Sequence, residues 1–276
     1  MDRPIIDNGS MKFLFQMAFI LIATSLSAAC AYLGNIDRNR LTQSAQQTLQ
    51  AATLNDADVR ALSSKACAQK DSESKIAAPN SDYARRLNRV ATLLGNEING
   101  VPVNYKVYLT NDVNAWAMAD SCVRVYSGLM DLMNDDELRG IVGHEMGHVA
   151  LGHTKKAMQV AYAASVARAI ASSAGGIARS LSESELGALS KKLVNAQFSQ
   201  AQERVADDYS FDLQKRKGLD PSALVSVFEK VGRVNGGQSS MLNSHPSSSD
   251  RVRHIRVRLQ SAQRVPNIKE RNGGML

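Results

Sequence analysis

Apolar positions along the chain fall into recognisable periods. After Ser81, a good helix N-cap, the residues Tyr83, Leu87, Val90, Leu93 and Leu94 recur at three- and four-residue spacing up to Gly95, which predicts an amphipathic helix with a glycine stop. Val103, Tyr105, Val107 and Leu109 alternate with other residues and share one face of a predicted strand. Residues 113–118 and 122–126 are short strand candidates on either side of an Ala119-Asp120 turn. The helical period returns after Asn134, a favourable N-cap. Asp135, Asp136 and Glu137 follow where the positive end of a helix dipole favours carboxylates, and Leu138, Ile141 and Val142 make the apolar stripe.

The rest of the chain is less periodic. Residues 37–75 are polar and rich in Ala and Gln, a helical composition suited to a stalk or a packed first helix, and residues 72–81 read as a linker. Residues 156–177 are Ala-rich and predict a covering helix or a lid, with Gln159 and Arg168 against a membrane span. One helix is predicted over residues 193–217, ended by Gly218 with Lys215, Arg216 and Lys217 in its last turn. Asp220-Pro221 opens another that runs to about Gly232. Residues 234–249 form a Gly/Ser-rich loop, Asp250 begins a last helix, and residues 265–276 are a loose tail. No internal repeat is visible.

Composition narrows the class. The chain has 276 residues, enough after its first thirty for one domain with a substantial core; with 5% aromatics that core must be built from Ala, Leu and Val. The formal charge is +7, much of it in Arg251, Arg253, Arg256, Arg258 and Arg264. No basic-aromatic interleaving or nucleic-acid motif accompanies it, so no nucleic-acid partner is expected, and a solvated basic face is the preferred reading over an anionic membrane surface.

The N-terminus has the layout of a secretory signal. Lys12 precedes an apolar run over residues 13–26, followed by Ser27-Ala28-Ala29 and Cys30, with Met11 as a possible alternative start. Cleavage with lipidation of Cys30 is the leading expectation, which would anchor the chain to a membrane; an uncleaved anchor and plain secretion are the alternatives. Ser27 departs from the aliphatic residue expected three before a lipidated Cys. With Cys30 lipidated, Cys67 and Cys122 remain as an even pair, predicting a disulfide in an oxidising compartment against the alternative of two buried thiols.

The chemistry lies in His144-Glu145-Met146-Gly147-His148. Helix positions i and i+4 share a face, so the two imidazoles can grip one metal ion while Glu145 reaches a water on it as general base. The bland reading is a surface helix with two stray histidines. Gly143 and Gly147 cost a helix roughly 1 kcal/mol each against Ala, which makes sense where something approaches the backbone closely.

A third ligand is needed. Leu151 and Thr154 exclude the metzincin extension, and His153 lies about 140° round the helix from His148, better placed to cap or hydrogen-bond nearby. The stronger candidate is Glu203, with Asp207 four residues on. Glu203 can ligate while Asp207 accepts the free N–H of a ligating histidine and fixes its tautomer. An acidic face paired with Arg204 and Lys215 is the alternative. Glu183 and Glu185, at an apparent helix start, are rival ligands.

These residues resemble the gluzincin peptidases related to HtpX and the CaaX prenyl endopeptidase. Tyr126-Ser127-Gly128-Leu129-Met130, Asp136-Glu137-Leu138 and His245-Pro246 with Arg251 add to the likeness, which covers about residues 80 to 260. Length and N-terminus look most like the family's small bacterial lipoprotein branch. The resemblance implies an α+β, mostly α, zincin-like fold with a three- or four-stranded sheet packed on the active-site helices. Domains are then expected at 1–29 (targeting), 30–78 (helical segment and linker), 79–264 (peptidase) and 265–276 (tail). It also implies one Zn2+ per chain on His144, His148 and Glu203, His245 as oxyanion donor with Arg251 in support, and Asn114, Ala115, Trp116 and Ala117 as a substrate-binding edge strand. Trp116, the only tryptophan, also suits a core position. The expected function is a zinc endopeptidase of the bacterial envelope acting on misfolded or membrane-associated polypeptides, on an outer-membrane lipoprotein facing the periplasm. A zinc-stabilised chaperone or scaffold and a peptidoglycan amide hydrolase are the alternatives.

Overall fold

A computed structural model of the chain describes residues 54–172, 181–234, 240–245 and 249–264, apart from the side chains of residues 166–172, 242 and 264. The predicted targeting segment, Cys30, Pro246 and the C-terminal tail lie outside the described residues. Helix α1 (Asp56–Ser72) starts at Asn55, whose side chain accepts from the N–H groups of Ala57 and Asp58, and it buries Val59, Ser63, Ala66 and Cys67. It is therefore a packed helix. In α2 (Asp82–Leu94), capped by Ser81, Leu87, Val90, Ala91 and Leu94 are buried. Leu93, expected on the same face, is exposed, since it sits about 100° round the helix from Leu94.

A two-stranded ribbon follows, β1 (Glu97–Ile98) and β2 (Val101–Pro102), turning at Asn99 and Gly100. Both turn residues have positive φ, 51° and 76°, the requirement that favours an Asn-Gly pair. The main sheet has three strands, β3 (Asn104–Tyr108), β4 (Ala115–Ala117) and β5 (Cys122–Tyr126), in the order β3-β5-β4. β3 runs parallel to β5 and β4 antiparallel to it. Every residue of the central β5 is buried, as a strand covered on both faces must be. Val107, Ala115 and Val125 face one core with Leu138, Ile141 and Met146. Tyr108, Trp116, Cys122 and Tyr126 face a second, with Val59, Ala66 and Cys67 of α1.

The remaining elements are α3 (Ser127–Leu132), α4 (Asp135–Ala150), α5 (His153–Ser172), α6 (Glu183–Val194), α7 (Gln200–Arg216), α8 (Ala223–Arg233), α9 (Met241–Ser244) and α10 (Ser249–Arg264). The fold is thus mostly α with a small sheet, as expected. Gly128 in α3 has no room for a side chain, because a Cβ there would lie 2.4 Å from the carbonyl oxygen of Asn111.

Three expectations are corrected. Residues 193–217 are not one helix: α6 ends at Val194, and α7 begins after Ser199, where Ser199 and Gln202 form a reciprocal capping box. α8 starts at Ala223, because Asp220 accepts a hydrogen bond from the Ser222 N–H and closes a turn first. The arginines of α10 are a solvated basic face only in part, Arg253 and Arg256 being exposed. Arg251 is buried, Arg258 grips Asp208 and Asp212, and Arg253 and Arg256 pair with Asp250 and Glu229. Among the described residues no helix is long and apolar enough to cross a membrane.

Cys67 is bonded to Cys122, tying α1 to β5. One turn along α1, Asp71 accepts hydrogen bonds from Arg124 (2.8 and 2.9 Å), Lys106 (2.7 Å) and Tyr108 (2.7 Å). Burial pushes its carboxyl up, but the bonds from Arg124, Lys106 and Tyr108 outweigh this and hold it at about 2. A depressed folded pKa means that this stabilisation is complete above an unfolded Asp pKa of about 3.9 and is lost as pH falls toward about 2. Asp71→Asn leaves the buried Arg124 without its counter-charge and is expected to cost about 3 kcal/mol. Thermal melts from pH 6 down to 2 check both points: the gap between wild type and variant should be widest at the top of that range and close toward its bottom.

Candidate metal centre and active site

Helix α4 begins with a capping box in which Asn134 accepts from the Glu137 N–H and the Glu137 carboxylate accepts from the Asn134 N–H, both at 2.9 Å. Glu137 is buried and also takes Lys230 at 2.7 Å, so it does more than favour the dipole. Residues 137–148 are all buried, which removes the reading of stray surface histidines.

The approach anticipated at Gly143 and Gly147 is made by α7. A Cβ at Gly143 would lie 2.5 Å from Ser210 Oγ, and one at Gly147 would lie 3.1 Å from the Ala206 carbonyl oxygen. Ser210 Oγ donates to the Gly140 carbonyl at 2.8 Å, locking the crossing. Two helices this close bring residues on facing turns into contact, and Glu203 and Asp207, one turn apart on α7, meet the histidines of α4.

His144 Nε2 lies 3.4 Å from Glu203 Oε2, and His148 Nε2 lies 3.3 Å from Glu203 Oε1 and 3.0 Å from His144 Nε2. His144 Nδ1 is 2.8 Å from Asp207 Oδ1, which fixes the proton on Nδ1 and leaves Nε2 free. His153 is not in the cluster. Its Nδ1 lies 2.9 Å from His148 Nδ1, and with His148 as donor it sets that ring's tautomer in the same way. Glu183 and Glu185 are also elsewhere: Glu183 opens α6, and Glu185 accepts from the Ser182 N–H in a capping box.

His245 enters from beyond α9, with Nδ1 3.0 Å from Glu203 Oε1 and Nε2 3.6 Å from Glu145 Oε1. Arg251 lies behind the ligands. Its Nη1 is 2.7 Å from Glu203 Oε2, and its Nε and Nη2 hold both oxygens of Asp207 at 2.8 and 2.6 Å. The ring of Phe198 stacks on His148 with centroids 4.0 Å apart, a contact that no periodicity in the sequence signals.

Burial works against the charged form of each group here. It pushes Glu145 up and His148 well down. In His144 it is outweighed by the charge of Glu203 and the bond to Asp207, which raise the imidazole to about 9. Glu203 and Asp207 are held low in spite of burial, Glu203 chiefly by His144 and Asp207 chiefly by Arg251.

Atoms of His144, His148, Glu203 and His245 all converge within 4.8 Å of one another. Imidazole nitrogens with one carboxylate are a donor set suited to Zn2+. Charge points the same way: the buried carboxylates of Glu145, Glu203 and Asp207 face one buried guanidinium, and a bound cation would take over the compensating charge that the raised His144 imidazole otherwise supplies. Glu145 Oε1 is buried with no hydrogen-bond partner, so one acceptor remains for a water or substrate.

β4 flanks this site at the sheet edge. The bonds Met118 N–H to Cys122 O and Tyr126 N–H to Asn114 O place the even-numbered residues against β5. The backbone groups of Ala115 and Ala117 therefore point away from β5; Ala115 is buried and Ala117 is partly exposed. Trp116 is buried in the second core, and Asn114 is buried beside it.

The sequence pattern of Peptidase family M48 matches residues 77–259. The chain is 53% identical to the metalloprotease LoiP of Escherichia coli (strain K12) over 243 residues, 88% of this chain and 96% of LoiP. It is 48% identical to the metalloprotease YcaL of the same strain over 249 residues, 88% of this chain and 98% of YcaL. A beta-barrel assembly-enhancing protease of Yersinia pestis is 27% identical over 209 residues, 67% of this chain and 41% of that protein.

The helix crossing can be tested. Gly143→Ala is expected to push α7 away at Ser210, costing about 1–3 kcal/mol and most of the bound metal. Adding Ser210→Ala, which removes the 2.5 Å clash, should restore part of both. Melting temperature and metal content of the purified proteins report the outcome.

Proposed function

The chain belongs to Peptidase family M48 and is a metalloprotease, and we propose that it is a zinc endopeptidase of the bacterial cell envelope that cleaves misfolded or membrane-associated polypeptides. The observation that carries the reading is the convergence of His144, His148 and Glu203 beside a buried Glu145 oxygen that has no hydrogen-bond partner. A zinc ion on those three residues supplies Lewis acidity, lowering the pKa of a water toward about 7 and polarising the scissile carbonyl. Glu145 takes the proton of the attacking water and returns it to the leaving amine nitrogen. Burial raises the basicity of this carboxylate, which suits a group that must both accept and release a proton.

His245 Nε2, on the Glu145 side of the cluster, donates to the oxyanion that forms at the carbonyl. Arg251 acts as a positioning residue: it holds Asp207, which orients His144, and steadies Glu203 directly. The side of β4 away from β5 accepts a substrate strand by backbone bonds, starting from the partly exposed Ala117 and reaching Ala115 once its cover shifts, which gives affinity with little demand on sequence. Envelope polypeptides as substrates are supported by the Yersinia relative named for beta-barrel assembly and by the secretory layout of residues 12–30. A lipid on Cys30 would anchor the enzyme to the outer membrane, facing the periplasm.

A second reading rests on His245. Its Nδ1 belongs to the convergent group, and a fourth protein ligand closes a zinc site, the arrangement of a structural metal in a chaperone or scaffold.

Two predictions separate these readings. Glu145→Gln should keep one equivalent of zinc while casein cleavage falls by about a thousandfold or more, whereas His148→Ala and Glu203→Ala should lose the metal itself. His245→Ala should retain zinc and lower kcat about 10²- to 10³-fold, as removal of an oxyanion donor does. Loss of zinc in His245→Ala, with no peptide cleavage by the parent protein, would favour the closed site.

A further inference from the structure

His245 reaches the metal cluster from a very short element. Helix α9 has four residues, and the His245 N–H closes its turn by donating to the Met241 carbonyl at 2.7 Å. A single turn does not hold its own shape in water, because several dihedrals are fixed for one hydrogen bond. Its geometry must therefore come from tertiary ties. At its start the Ser240 N–H donates to Asp112 Oδ1 at 3.0 Å, and the Ser240 hydroxyl donates to Asp112 Oδ2. Hydrogen bonds to an ionised carboxylate are the stronger kind, and this one also satisfies an N–H that the turn cannot pair within itself. The Met241 N–H follows, donating to the Val113 carbonyl at 3.3 Å, and the Met241 side chain is buried in the first core.

Asp112 is itself held from behind. Its N–H donates to Thr110 Oγ1 at 3.3 Å, and the Thr110 N–H donates to Ser127 Oγ at 2.9 Å. The Ser127 hydroxyl and the Gly128 N–H both donate to the Thr110 carbonyl, at 2.8 and 2.9 Å. A Cβ at Gly128 would lie 2.7 Å from the Asp112 carbonyl oxygen, so the loop is pressed onto the start of α3. The carboxylate is thus a fixed point to which the first residue of the turn is tied, five positions before the imidazole.

We propose that Asp112 is the positioning residue for His245: its clasp on Ser240 sets where the imidazole stands, 3.0 Å from Glu203 Oε1 and 3.6 Å from Glu145 Oε1. The proposal rests on the oxyanion-donor reading of His245 given above and adds what places that donor. Asp112 acts through α9 and not on the reacting atoms. Residues 112 and 113 also lead into β4, so the strand beside the site and the turn that carries the donor share one base.

The test compares the zinc-loaded wild type with Asp112→Ala, Asp112→Asn, His245→Ala and the double variant of Asp112→Ala with His245→Ala. Asp112→Ala is expected to keep its zinc and hold KM within about twofold while kcat falls about ten- to a hundredfold, because a displaced donor forfeits much of its effect. Asp112→Asn keeps an oxygen for the Ser240 N–H and should recover most of kcat. In the His245→Ala background the Asp112→Ala change should cost less than about twofold, since a residue that acts through another then has nothing to act on. Hydrogen exchange gives a readout independent of turnover: the amides of Met241 and His245 should exchange faster in Asp112→Ala, with those of residues 138–148 unchanged. Full kcat in Asp112→Ala beside an impaired His245→Ala, losses that multiply in the double variant, or a raised KM with kcat held would each overturn the proposal. A His245→Ala protein as active as wild type would end the donor reading, and exchange would then decide the clasp. Faster exchange confined to residues 240–245 supports it; unchanged exchange overturns it.

Discussion

Everything at the centre depends on how closely two helix backbones can approach. Gly140, Gly143 and Gly147 present a bare stripe along α4, and Ala206 and Ser210 of α7 lie against the latter two. Side chains on either helix at these levels would hold the axes apart. The carboxylate of Glu203 would then fall short of the imidazoles, and Asp207 would lose its bond to His144. Glycine is normally a liability in a helix interior. Here burial of residues 137–148 on their neighbours outweighs the propensity loss, and close packing converts the weakness into geometry.

Charge is the second constraint. Three carboxylates buried among apolar walls are unstable unless something positive meets them. Arg251 supplies part of that charge from α10, and the imidazoles and a bound cation complete it. The guanidinium also rests on the face of Phe228, 4.2 Å from the ring centroid, so its own burial is supported on the apolar side. Metal affinity and fold stability are therefore coupled through the same few groups.

How much of this was readable before any coordinates depended on range along the chain. The pairs His144/His148 and Glu203/Asp207 were legible because the i, i+4 rule is local and their chemistry is demanding. The Cys67–Cys122 bond followed from a count of thiols. Other features carried local signals that periodicity outweighed: Asn99-Gly100 spelled a tight turn, and Ser199 with Gln202 spelled a helix start inside what read as one continuous helix. Leu93 kept the helical period yet faces solvent, since a stripe drawn too wide includes residues at its rim. The role of Arg251 could not be read from its arginine-rich neighbourhood. Only tertiary contact separates the buried guanidinium of Arg251 from the half-buried Arg258 and the exposed Arg253 and Arg256. Phe198 gave no signal at all, because His148, on which it stacks, lies far away in sequence.

The order in which these groups occur along the chain has a consequence for biosynthesis. The imidazoles come first, the ligating carboxylate some sixty residues later, and the compensating arginine near the end. Contacts of such long separation carry the larger loop-closure cost. A ribosome-bound or truncated product that stops short of residue 251 carries the motif but lacks the counter-charge that holds its carboxylates in place. Hydrolytic competence is thereby deferred until translation is nearly complete, and an unfinished copy is poorly equipped to digest itself or its neighbours.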